Sequence, residues 1–123
     1  MKAASNDPGH TGDELLTILE ALANPHRLTI LSKLSQGRRY VSDLAREMGM
    51  SRPLLYMHLK RLEKAGLVSS ELELSADGRA MKFYSLNPFD IRLMPETVAE
   101  AARSLTDRSQ SAQPNQDGKE ERD

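Results

Sequence analysis

The segment from Val41 to Val68, VSDLAREMGMSRPLLYMHLKRLEKAGLV, constrains the fold of this chain more than any other. Val41, Leu44, Ala45 and Met48 recur at i, i+3, i+4 and i+7, the spacing of one helix face. Asp43 suits the positive start of that helix, and Gly49 supplies the left-handed conformation that ends it. Ser51 is then an N-cap residue. Pro53 is tolerated because first-turn N–H groups have no helical partner. Leu55, Leu59 and Leu62 form the inward stripe of a second helix, which Gly66 closes. Two short helices about a glycine turn, the second with a polar and cationic outer face, make a helix-turn-helix. That element presents side chains to the major groove of DNA.

The flanking sequence supplies a scaffold. Asp13 is the expected cap of a first helix, in which Leu15, Ile18, Leu19 and Leu22 share a stripe that Leu16 broadens. Asn24-Pro25 ends it and starts a second helix, lined by Leu28, Leu31 and Leu34 with Ile30 beside them and stopped by Gly37. After Gly66 the pattern changes: VSSELEL and MKFYSL bracket the turn-rich Ser75–Ala80, which predicts a two-stranded hairpin, a wing. Asn87-Pro88 breaks the second strand, and a last helix fits Pro95 to about Thr106. The expected architecture is mainly α with a small β-hairpin wing, in the order α-α-α-α-β-β-α, a winged helix-turn-helix. One domain spans 13–107. Polar tails at 1–12 and 108–123 are expected to be disordered.

Composition excludes several function classes. There is no cysteine, hence no disulfide or thiolate metal site. No apolar run reaches the roughly 20 residues of a membrane span, and the start lacks a secretion signal. The expectation is a cytoplasmic protein with no membrane partner. The formal net charge of −1 conceals a basic block, because residues 27–64 carry nine cations against Asp43, Glu47 and Glu63. That block coincides with the reading element, so the pI near 6.3 does not argue against nucleic acid. Ordinary solvated helix faces are the bland alternative for the same charges. No nucleophile–base pair, phosphate-cradling glycine loop or metal cluster is visible, so no enzyme and no cofactor are expected.

ALANPHRLTILSKL, then VSDLAREMGMSRPLLYMHLKRLEKAGLV, then GRAMKFYSLNP resemble the ArsR-type winged helix-turn-helix family of transcription regulators, over roughly residues 14–106. The resemblance implies a symmetric homodimer held by the first and last helices, a fourth helix in the major groove and a wing on the adjacent backbone. Many relatives sense metals through a Cys-Val-Cys-Asp-Leu stretch. Here it reads Tyr40-Val41-Ser42-Asp43-Leu44, and no histidine follows His58 to build the alternative Asp/His site, so no metal is expected.

On the fourth helix Arg52, Tyr56 and Lys60 are four residues apart, with Pro53, Met57 and Lys64 alongside, all away from the leucine stripe. Arg52 can read guanine, and Tyr56 and Met57 offer apolar surface to thymine methyls. Ser51, Lys60 and Arg61 suit phosphates, as do the wing cations Arg79 and Lys82, although Glu71, Glu73 and Asp77 dilute the field there. DNA readout is the favoured role of the exposed Tyr-Met pair, with a protein contact as the alternative. His58 reads as a half-buried structural residue or a DNA contact, His26 as structural, and His10 as part of the tail. The first helix is more apolar than a small core requires, and the Ala-rich last helix permits close approach. Leu15, Leu16, Leu19, Val98, Ala101, Ala102 and Leu105 are therefore the candidate dimer interface. The expected function is sequence-specific binding of double-stranded DNA by a homodimeric regulator, with repression from a near-palindromic operator. The alternative is a winged-helix protein-interaction module.

Overall fold

The computed structural model describes residues 9–106; residues 1–8 of the expected 1–12 tail and all of the expected 108–123 tail lie outside them, while Thr11 and Gly12 of the first tail are part of a helix start. Helix α1 spans Gly12–Leu22 and begins two residues earlier than the Asp13 cap predicts. Thr11 is the cap: its hydroxyl accepts the Glu14 N–H while the Glu14 carboxylate accepts the Thr11 N–H, a reciprocal capping box. Asn24 breaks the chain and caps α2 (Pro25–Leu34) through its side-chain oxygen, which accepts the N–H groups of His26 and Arg27.

A two-residue strand β1 (Arg39–Tyr40) runs straight into α3 (Val41–Met48). Gly49 takes φ 66°, and the Met50 N–H returns to the Ala45 carbonyl, turning the chain into α4 (Arg52–Lys64), capped by Ser51. After Gly66, β2 (Val68–Leu74) and β3 (Ala80–Leu86) form the expected hairpin. Helix α5 (Pro95–Arg103) ends one turn short of the expected Thr106. The sheet has three antiparallel strands in the order β1-β3-β2, with Tyr40 opposite Phe83 and Leu72 opposite Lys82. The short β1 is an addition to the predicted order.

Ile30, Leu44, Leu55, Leu59 and Leu62 are fully buried at the centre, with Leu67, Val68 and Tyr84 sealing the wing against them. Each buried leucine contributes about 1.5–3 kcal/mol relative to an exposed one. Helix α2 is rotated from the predicted stripe: Leu28 faces outward, and Arg27, Ile30, Leu31 and Leu34 face in. The cause is a set of acceptors for the Arg27 guanidinium in the end of α1. Helices α1 and α5 pack at Gly12, whose backbone N–H donates to Ser104 Oγ at 2.8 Å. No helix among the described residues is long and apolar enough to cross a membrane.

Candidate nucleic-acid interface

Helix α4 is gripped along one side and open along the other. Leu55, Leu59, Leu62 and His58 are buried. At about 100° per residue the opposite ridge consists of Pro53, Met57, Lys60 and Lys64, and all four are exposed, Met57 at 51%. Ser51, Arg52 and Arg61 are exposed beside that ridge. Leu54, which the sequence reading passed over, is exposed on the Arg61 flank. Arg52 Nη1 donates to Ser42 Oγ at 2.7 Å, so its guanidinium rests against the start of α3.

Tyr56 is not fully outward as its spacing suggested. It is half-buried against the core, and the Lys82 ammonium lies 5.7 Å from its ring centre and 5.6 Å from that of Tyr84. Lys82 therefore lies within the strand, three pairs in from the turn, and ties the wing to α4 by cation–π attraction. Only Arg79 stands at the tip, where its N–H accompanies the Ser75 and Asp77 side chains in closing the turn.

Strand alternation sorts the wing into two chemically different faces. Ser70, Leu72 and Leu74 pair with Tyr84, Lys82 and Ala80 on the face toward α4, where Ser70 Oγ donates to Glu63 at 3.2 Å. Glu71 and Glu73 pair with Phe83 and Met81 on the reverse face. There the Arg38 guanidinium donates to both oxygens of Glu73, at 2.6 and 3.0 Å, and to Glu71 at 3.5 Å, while lying 4.0 Å over the Phe83 ring. The bond from Arg38 holds the Glu73 carboxyl below the usual carboxylate range, and Arg38 is raised in return. The Ser75 hydroxyl and then the Arg79 N–H hold Asp77 low in the same way. The wing acids are thus partnered, two of them on the side away from α4. The acidic dilution expected from sequence is largely removed. Leu72 and Leu74, 68% and 76% exposed, are left on the α4 side.

The second predicted surface divides differently. Leu15, Leu16 and Leu19 are half-buried, and Val98, Ala102 and Leu105 are exposed. Ala101 is not available to a second chain, being 7% exposed and packed on Gly12 within its own. Leu93 and Met94, just before α5, extend the exposed apolar area instead. Among the described residues no group of three or more His, Cys, Asp or Glu side chains could hold a metal ion.

The arsR family of bacterial regulatory proteins matches residues 24–70, from the Asn24 cap to the first residues of β2. An HTH-type transcriptional regulator of Methanocaldococcus jannaschii is 39% identical over 79 residues, 64% of this chain and 82% of that one. The arsenical resistance operon repressor of Staphylococcus xylosus is 38% identical over 74 residues, 60% of this chain and 66% of that one. Among solved structures, a homodimeric winged helix-turn-helix DNA-binding domain from Mycobacterium bovis, a possible ArsR-family transcriptional regulator, superimposes with a TM-score of 0.51. It is 32% identical, covering 60% of this chain and 64% of that one. With α3 and α4 as its helix-turn-helix and β2–β3 as its wing, the chain belongs to the ArsR family of winged helix-turn-helix regulators.

Proposed function

We propose that this chain is a transcriptional repressor that binds a near-palindromic DNA operator as a symmetric homodimer. The observation that carries the reading is the exposed ridge of α4, beside a wing face whose own strand residues include no acid. In the complex Arg52 leaves Ser42 and donates to a guanine edge. Pro53, Met57 and the edge of Tyr56 meet thymine methyls. Ser51, Lys60 and Arg61 take phosphates, and Arg79 and Lys82 extend the charge along the adjacent backbone. Repression is the simplest consequence of occupying a promoter, and one relative carries a repressor's name.

The homodimer rests on the apolar area of α1 and α5 and on the homodimeric Mycobacterium bovis domain. A two-fold axis through that area places two α4 helices against half-sites about 34 Å apart. Leu72 and Leu74 favour a second reading, a protein-docking wing, because exposed leucines on an edge strand suit a protein partner. Selecting bound duplexes from a random pool and sequencing them separates the two. Repression predicts a palindromic consensus whose binding falls steeply with salt. Recovery of the input distribution at every salt concentration excludes it.

A further inference from the structure

A single buried guanidinium joins three helices. Arg27 is the first residue of the inward stripe of α2 and is 9% exposed. Its Nε donates to the Ala21 carbonyl at 2.7 Å and its Nη2 to the Glu20 carbonyl at 3.2 Å, both in the last turn of α1. Its Nη1 lies 3.2 Å from Nδ1 of His58, in the middle of α4, and His58 is 5% exposed. The carbonyls at the end of α1 carry partial negative charge, which suits the cation. An arginine has no acceptor atom, so the contact to His58 is a hydrogen bond only when Nδ1 carries no proton.

We infer that Arg27 and His58 are a positioning pair for the DNA-reading helix, a strut from the end of α1 to the middle of α4 that holds only while the imidazole is neutral and lets α4 loosen when it is protonated. This inference deepens the DNA-binding reading above and, for its effect on affinity, rests on it. The groups facing His58 all oppose a proton. Arg27 and His26 face it from α2, the His26 ring centre 5.5 Å away, and Arg61 acts from α4 itself. Burial first, then the neighbouring Arg27, His26 and Arg61, hold the imidazole below its ordinary value of about 6.5. Because the folded state resists the proton, the strut contributes fully above about pH 6.5. Its contribution falls as pH drops below that value toward the depressed folded one. Exposed histidines near DNA would act in the opposite sense, gaining attraction for phosphate in acid.

The test uses the full chain with nitrogen-15-labelled histidine. Imidazole spectra are expected to show His58 neutral at pH 7.5 with the proton on Nε2. Exchange of the α4 amides, corrected for the intrinsic effect of pH, is expected to accelerate relative to α3 between pH 7.5 and 5.5. Affinity for the selected duplex is expected to fall over the same interval by no more than about tenfold, the limit for one proton over the single pH unit below 6.5. In His58→Gln the ratio of affinities at the two pH values is expected to stay within about twofold, since the amide oxygen accepts from Arg27 and does not titrate. A proton on Nδ1, a charged His58 at pH 7.5, or α4 exchange that tracks α3 would overturn the strut without any reference to DNA. A wild-type pH profile retained in His58→Gln would overturn its coupling to binding. Absence of duplex binding at pH 7.5 contradicts the functional reading and leaves the strut to be decided by the spectra and exchange.

Discussion

Gly12→Ala perturbs the seam where α1 meets α5, and its sign is decided by two competing magnitudes. A Cβ at position 12 would stand 2.3 Å from the Ala101 carbonyl oxygen and 2.7 Å from the Leu105 side chain. That is roughly 1 Å inside van der Waals contact. Leu105 can rotate, but the carbonyl is backbone, so α5 must lift away from α1. The shift also strains the bond from the Gly12 N–H to Ser104 Oγ. Overpacking of this kind costs about 1–3 kcal/mol. Against it, alanine gains at most about 1 kcal/mol of helix propensity over glycine, and less in a first turn. The expected balance is a loss of about 1–2 kcal/mol, which lowers Tm by roughly 5–10 °C in a domain of this size. Thermal melts at fixed protein concentration, paired with sedimentation, read both stability and assembly. Thr11→Ala is the comparison: it removes the cap, about 1 kcal/mol, without pushing α5. Gly12→Ala should weaken self-association and Thr11→Ala should not. A Gly12→Ala chain that melts at or above the wild-type temperature with unchanged sedimentation refutes the close-packed seam.

Other outcomes follow from the interface. Arg52→Ala should lose about 1–3 kcal/mol on the selected duplex and relax base preference at one position. Arg79→Ala should weaken all sequences alike and flatten the log–log salt slope by about 0.9; titrations on selected and random duplexes with the roles reversed would contradict this assignment. Arg38→Ala, distant from the reading ridge, should weaken binding because it releases Glu71 and Glu73. Below the ordinary carboxylate range Glu73 protonates, the Arg38 pair is lost in wild type too, and the two proteins should converge. A difference that persists at such pH counts against the pairing. Leu59→Ala, at a fully buried site, should cost about 2–5 kcal/mol in denaturant melts, and a change under 1 kcal/mol would place Leu59 outside the core.

The sequence made the central elements legible because each carries a local signal. The Gly49 turn, the Ser51 cap, the Asn24-Pro25 break and the leucine stripe of α4 follow from backbone chemistry within four residues of each feature. What escaped depends on distant partners. Strand β1 is two residues long, too short for any period, and exists because β3 pairs with it. Arg38 finds Glu73 across 35 positions, so the wing's acids read as free when they are neutralised. Lys82 looked like a tip cation because alternation alone does not say how far a strand stays against the body. Arg27 did leave a trace: it stands at i before Ile30, Leu31 and Leu34 at i+3, i+4 and i+7, an arginine on a core stripe. Thr11 carries a local signal, the Glu14 three residues on that completes its capping box, whereas the role of Gly12 lies in its contact with α5 and its Ser104 cap, 92 positions away, and leaves no trace in the sequence around it.

Chemical-shift mapping of the labelled chain with a selected duplex addresses the reading surface most directly. Changes should concentrate at Ser51, Arg52, Met57 and Lys60 and on the Leu72–Lys82 side of the wing. Resonances of Glu71, Glu73 and Phe83 should change little. If the largest changes fall on that reverse face while the ridge of α4 stays unperturbed, the surface assigned to DNA is the wrong one.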